Sequence, residues 1–194
     1  MKRQNNKHRI LEAACVLFNE QGVVSITTNH IAKELKISPG NLYFHYANKE
    51  EIIRELFKIM CAEIYVVWSL PKKGGVHLTP DQMVDASFDI FWKYRFFHRE
   101  MYHMRRQDPT LGDMWKSHLN KTMRLWKTHY RLWLNEGIAK PITDQSEIQF
   151  LAEVVLITAS TFLQFYESRE RPAHRNSLRR GQDHVMRIMG RYLK

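Results

Sequence analysis

The sequence predicts an all-α chain. Apolar residues recur at helical spacing along nearly every segment, explicit helix starts recur, and strand-like alternation is weak. Pro and Gly, 6 and 8 of 194 residues, cluster at a few breaks. Two parts are expected. Residues 1–47 hold three short helices; residues 48–194 hold longer helices around an aromatic-rich interior.

The first helix is expected from Lys7 to Glu20, with Ile10, Ala14, Leu17 and Phe18 on one face and Gly22 as its stop. Thr27 or Thr28 can cap the second, which turns Ile31, Ala32 and Leu35 inward. After a turn at Lys36-Ile37, Ser38 caps a third helix with Pro39 at its first position and an end near Tyr46. Asn48 and Glu51 form a capping box for a fourth helix to about Ser69. Leu70–Leu78 reads as a loop. Thr79-Pro80-Asp81-Gln82 starts a helix expected to reach Met104. Asp108-Pro109 breaks the chain, and a long helix follows from Thr110 to Asn135, stopped by Gly137. Asp144 to Glu147 reads as another capping box, opening the helix that carries Phe150–Leu163. A break at 169–174 with Pro172 precedes a last helix, Asn176–Tyr192, with Val185, Ile188, Met189 and Tyr192 on one face.

A chain of this size buries a core without a disulfide or metal staple. Cys15 and Cys61 sit in apolar surroundings, which excludes a disulfide scaffold and fits a reducing cytoplasm. The basic start is not followed by an apolar leader segment. Phe150–Leu163, the most apolar stretch, is shorter than the ~20 residues of a membrane span and reads as a buried helix. The net charge of +10 favours a polyanionic partner.

The sharpest signal is Thr27–Lys49, two short helices around a tight turn. This is a helix-turn-helix pattern, held by Ile31, Ala32, Leu35, Ile37 and Leu42. Gly40, Asn41, Tyr43, Phe44 and His45 are left on the third helix. Its free N–H groups meet no acidic neighbour, because Asn41 occupies the third position. Lys33, Lys36 and Lys49 lie around it, and residues 1–49 carry seven Lys+Arg against three Glu. A phosphate backbone, with Asn41, Tyr43 and His45 at base edges, fits these features. The plain alternative is that Tyr43 and Phe44 belong to a core and the charge to a solvated face.

Residues 8–57 resemble the DNA-binding domain of the tetracycline repressor (TetR) family of bacterial regulators. The likeness rests on ILEAACVLFNEQG, TT…IAKELKIS and PGNLYFHYANKEEI. Lys36 stands where the family often has Gly, a position that can require positive φ. The resemblance implies that Thr28 and Lys49 touch phosphate. It puts Ser38, Pro39, Gly40 and Asn41 at the groove, with Tyr43, Phe44 and His45 on base edges or backbone. It also implies a homodimer on a palindromic duplex DNA operator, released when a small-molecule effector enters the C-terminal part. In the family the last two helices build the dimer interface. Here that carries over to Ala152, Val155, Ala159, Phe162, Val185 and Met189. These residues alternatively pack on their own core.

An effector cavity is expected among Phe88, Trp92, Phe96, Tyr102, Trp115, Trp126 and Tyr130; the competing reading is a bulky core. Residues 93–131 hold ten Lys+Arg against three acids, either a solvated face or in part the lining for an acidic ligand. No metal-ligand, phosphate-loop, dinucleotide or nucleophile-elbow motif occurs, so no cofactor or metal is expected and no catalytic constellation stands out. The expected function is a ligand-responsive DNA-binding regulator, probed against a helical enzyme or lipid-binding carrier with an incidental basic surface.

Overall fold

A computed structural model describes residues 2–70, 78–142, 144–169 and 175–194. The described residues form nine α-helices and no strand. They are α1 (Lys2–Gln21), α2 (Thr28–Glu34), α3 (Pro39–His45), α4 (Lys49–Val67), α5 (Pro80–Lys93), α6 (Arg95–Gln107), α7 (Pro109–Asn135), α8 (Gln145–Arg169) and α9 (Arg175–Met189). The expected loop at 70–78 lies mostly outside the described residues, as does the expected break at 169–174.

Two compact units result. The first joins residues 1–62 with 94–112; the second joins 63–93 with 113–194. The sequence suggests a boundary after residue 47; the first unit retains most of α4 and takes in α6.

In the first unit Ile10, Ala14 and Phe18 of α1, Ile31 and Ala32 of α2, and Leu42 of α3 are fully buried. Phe96 and Phe97 of α6 complete this core, 5.3 Å from Phe18 and 5.4 Å from Phe57 respectively. Arg54 pairs with Asp108 at 2.7 Å, and Asp108 also accepts the Leu111 N–H as α7 begins.

One expectation is overturned here. Pro80–Met104 is not a single helix: the chain breaks at Tyr94, with φ −115 and ψ 38. The buried Asn19 side chain accepts the Phe96 N–H at 3.1 Å and so caps α6 from α1. The bonds Arg99 makes to the Phe18 and Asn19 carbonyls, with Glu100 accepting the Val23 N–H through both oxygens, fasten the same two elements.

In the second unit α8 and α9 pack on each other and on α5, around Trp68, Phe88, Trp126, Tyr130 and Trp133. The Trp68 indole donates to Ser87 Oγ at 3.0 Å, and His129 Nε2 lies 2.9 Å from the Trp68 carbonyl. The Asp144 box also differs from expectation. Asp144 takes the Ser146 N–H and hydroxyl, which hold its carboxyl below its usual value. Glu147 instead accepts the Tyr192 hydroxyl, and that bond raises the Tyr192 phenol.

By length and composition α8 could cross a membrane. Leu151, Ala152, Val155, Ala159, Phe162 and Leu163 are nonetheless buried in the core of the second unit, as expected of an internal helix.

Candidate nucleic-acid interface

The helix-turn-helix forms by local chemistry. Thr27 caps α2: its Oγ1 accepts the His30 N–H, and His30 Nδ1 accepts the Thr27 N–H, both at 3.3 Å. A histidine thus fills the place usually taken by Glu or Gln, with Nδ1 as the acceptor. Lys36 takes φ 55, the left-handed conformation that its turn position suggested. Ser38 Oγ accepts the Asn41 N–H at 3.2 Å with Pro39 at the first helical position, as expected.

Ile31, Ala32 and Leu42 occupy the seam, while Leu35 and Ile37 are half-buried. Opposite them, Ser38, Pro39, Gly40, Asn41, Tyr43 and Phe44 are exposed, and His45 is half-buried. Tyr43 is 50% and Phe44 61% exposed, which removes them from the core reading. A Cβ added to Gly40 would meet nothing within 4 Å, so no internal contact demands glycine there. The Tyr43 hydroxyl lies 3.0 Å from Thr28 Oγ1, and the Phe44 ring sits edge-on to His45 at 5.2 Å. α3 therefore presents an ordered polar-aromatic surface that its own chain leaves uncovered.

Lys49 has a role that the sequence reading did not see. Its ammonium donates to the carbonyls of Val23 at 2.8 Å and Ile26 at 2.9 Å. It satisfies the loop entering α2 and keeps one N–H for a further acceptor. Asn48 caps α4 as expected, accepting the Glu51 N–H at 2.9 Å, while Glu51 reaches back to the Ala47 N–H. Beneath α3 the Tyr46 hydroxyl is buried without a hydrogen-bond partner. Burial, then the Glu55 and Glu51 carboxylates, push its phenol far above the usual value.

The seven residues expected around an effector fall in both units. Phe96 and Tyr102 belong to the first unit and the other five to the second. Phe96 is fully buried, whereas Tyr102 is 60% exposed beside Arg105 and Arg106. Phe88, Trp126 and Tyr130 are core residues, with Phe88 4.7 Å from Phe162 and Trp126 stacked on Tyr130. Trp92 and Trp115 are half-buried. The Trp126 indole N–H is buried without a partner.

The residues carried over as a dimer interface lie on the inner side of their unit. Ala152, Val155, Ala159, Phe162, Val185 and Met189 are all buried by their own unit. α8 is apolar on two faces, and its other face shows Phe150, Ile157 and Phe165 at 57%, 63% and 53% exposure. A groove of about 290 Å³ lies there among Phe150, Val154, Ile188 and Arg191.

The fold and this surface define a helix-turn-helix module with a helical companion unit. Residues 10–56 match the family model described as bacterial regulatory proteins, tetR family; residues 78–194 match the one described as bacterial transcriptional repressor. A helix-turn-helix-type transcriptional regulator of Staphylococcus aureus strain MRSA252 is 31% identical over 98 residues, covering 50% of this chain and 52% of that protein. Another helix-turn-helix-type regulator, from S. aureus strain USA300, is 47% identical over 49 residues, 25% of this chain and 26% of that protein. The matches thus span about half or less of these relatives. A TetR-family regulator of known structure from Marinobacter aquaeolei VT8 superposes with a TM-score of 0.85 at 29% identity, over 97% of this chain and 91% of that one. The chain belongs to the TetR family of bacterial transcription regulators.

Proposed function

We propose that this chain is a sequence-specific, duplex-DNA-binding repressor that acts as a homodimer on a palindromic operator and is released by a small molecule. The exposed face of α3 carries the reading: Asn41 is held by the Ser38 cap and Tyr43 by its contact with Thr28, yet Asn41, Tyr43 and Phe44 stay exposed to solvent. Asn41 and Tyr43 read base edges, and Thr28 with the remaining Lys49 N–H meets phosphate.

The dimer forms through the outer face of α8, around Phe150, Ile157 and Phe165. Three large apolar side chains on one helix face are costly to leave in water, and a second copy covers them. The effector binds in the second unit, where the buried Trp126 N–H supplies a donor that lacks an acceptor.

Selection of genomic duplex fragments by the purified protein at near-physiological salt tests the reading. An enriched palindrome with half-sites a whole number of helical turns apart is expected. Recovery of random fragments that disappear as salt rises would return weight to the enzyme or carrier reading.

A further inference from the structure

α7 carries an unusual charge pattern. Between Asp113 and Glu136 it has five cations and no acid. Lys116, Arg124, Lys127 and Arg131 fall within an arc of about 80° by helical geometry. Buried His118, Thr122, His129 and Trp133 lie opposite the arc, and buried Tyr130 adjoins one of its edges. None of the four forms an ion pair among the described residues. Lys121 lies beside the arc, its ammonium 3.6 Å from the centre of the Tyr65 ring.

A solvated helix face ordinarily mixes signs, because Glu–Lys neighbours three or four positions apart stabilise the helix. Here Arg124 and Lys127, and Lys127 and Arg131, are like-charge neighbours at those spacings. Each such pair weakens the isolated helix. Such a face is reasonable where an anion completes it.

We propose that this face of α7 is a second nucleic-acid surface, which binds the phosphate backbone of duplex DNA without reading sequence. The ridge from Lys116 to Arg131 is about 22 Å long at the rise of an α-helix. Ser117 and Asn120 are exposed beside its cations and add neutral phosphate donors. A lipid surface fits less well, because no residue of α7 is among the exposed large apolar side chains. The surface does not depend on α3, so its failure and failure of the operator reading are separable.

The experiment measures binding of the full chain to a non-cognate duplex across a salt series. Arg124→Ala and Arg131→Ala should each flatten the plot of log affinity against log salt by about 0.9, and together by about twice that. Arg179→Ala, which removes an exposed cation from α9, should leave the slope unchanged. Tyr43→Ala should abolish operator preference and keep the non-cognate slope. The alanine variants remove repulsion within α7, so their melting temperatures should equal or exceed the parent's. An unchanged slope in the double variant overturns the proposal. So does a loss of binding to phosphatidylserine vesicles or polyglutamate with duplex binding intact.

Discussion

The hydroxyls of Thr28 and Tyr43 lie 3.0 Å apart and join the first residue of α2 to the exposed side of α3. The contact fixes the phenol of a half-exposed ring before any partner arrives. Ordering a side chain in advance lowers the entropy that binding must otherwise spend.

Tyr43→Phe keeps the ring and removes this contact. Operator affinity should fall by about 1 kcal/mol, the worth of an ordinary hydrogen bond, with the melting temperature unchanged. Asn41→Ala should weaken specific binding by ~1–3 kcal/mol and spare non-specific binding. Mobility-shift titrations on operator and scrambled duplex read both effects. Unchanged operator affinity in both variants would remove α3 from the groove.

Lys49 makes a different prediction. Its ammonium bonds the Val23 and Ile26 carbonyls, so Lys49→Ala leaves both acceptors without their charged donor. Urea unfolding should show a loss of ~1.5–3 kcal/mol, the range for hydrogen bonds to charged groups. A lysine that served phosphate alone would leave unfolding untouched and only flatten the salt dependence of DNA binding.

Tyr46 predicts an alkaline effect. Its phenol is raised by burial and by Glu55 and Glu51, so the folded chain keeps the proton after the unfolded chain has lost it. Below the ordinary phenol value of about 10 both states are protonated, and the contribution is constant. As pH rises above that value the unfolded state is favoured and stability falls. Tyr46→Phe should remove this part of the loss. It should also be neutral or stabilising at pH 7, because the hydroxyl has no partner to lose. Urea unfolding at neutral and alkaline pH checks both signs; a large loss at neutral pH would contradict them.

What was legible in the sequence was what local chemistry decides. Ser38-Pro39 is a cap and a first-turn proline wherever it falls, and the structure uses it so. Lys36 takes the positive φ that its turn suggested. The reading failed where the partner is remote. Asn19 caps α6 across 77 positions, so the break at Tyr94 left no local sign. The carbonyl partners of Lys49 lie more than twenty positions away. α8 is ambiguous for another reason: it is apolar on two faces, and periodicity does not say which one its own chain covers. Exposed Phe150, Ile157 and Phe165 settle that only when burial is known.

Gly181 tests the packing of the second unit. A Cβ there would lie 2.6 Å from both Phe162 and Phe88, closer than contact allows. Intrinsic helix propensity alone favours Gly181→Ala by about 1 kcal/mol. Overpacking should reverse that sign and leave a net destabilisation on the order of 1–3 kcal/mol. Thermal melting decides it: a more stable variant would mean that α9 has room against α5 and α8.

The two faces of α8 separate dimerisation from folding. Ile157 is 63% exposed and Ala159, two residues on, is 7% exposed. Ile157→Lys places a charge in the proposed interface while leaving the core of the unit intact. It should yield a folded monomer by light scattering, with parental helix content and little operator binding, since one short recognition helix reads only a half-site. Ala159→Lys forces a long cation among Val155, Phe162 and Leu163 and should lower the melting temperature sharply. If Ile157→Lys remains dimeric, the partner copy docks elsewhere. If Ala159→Lys remains fully stable and becomes monomeric, the inner face is the interface and the packing of α8 must be redrawn.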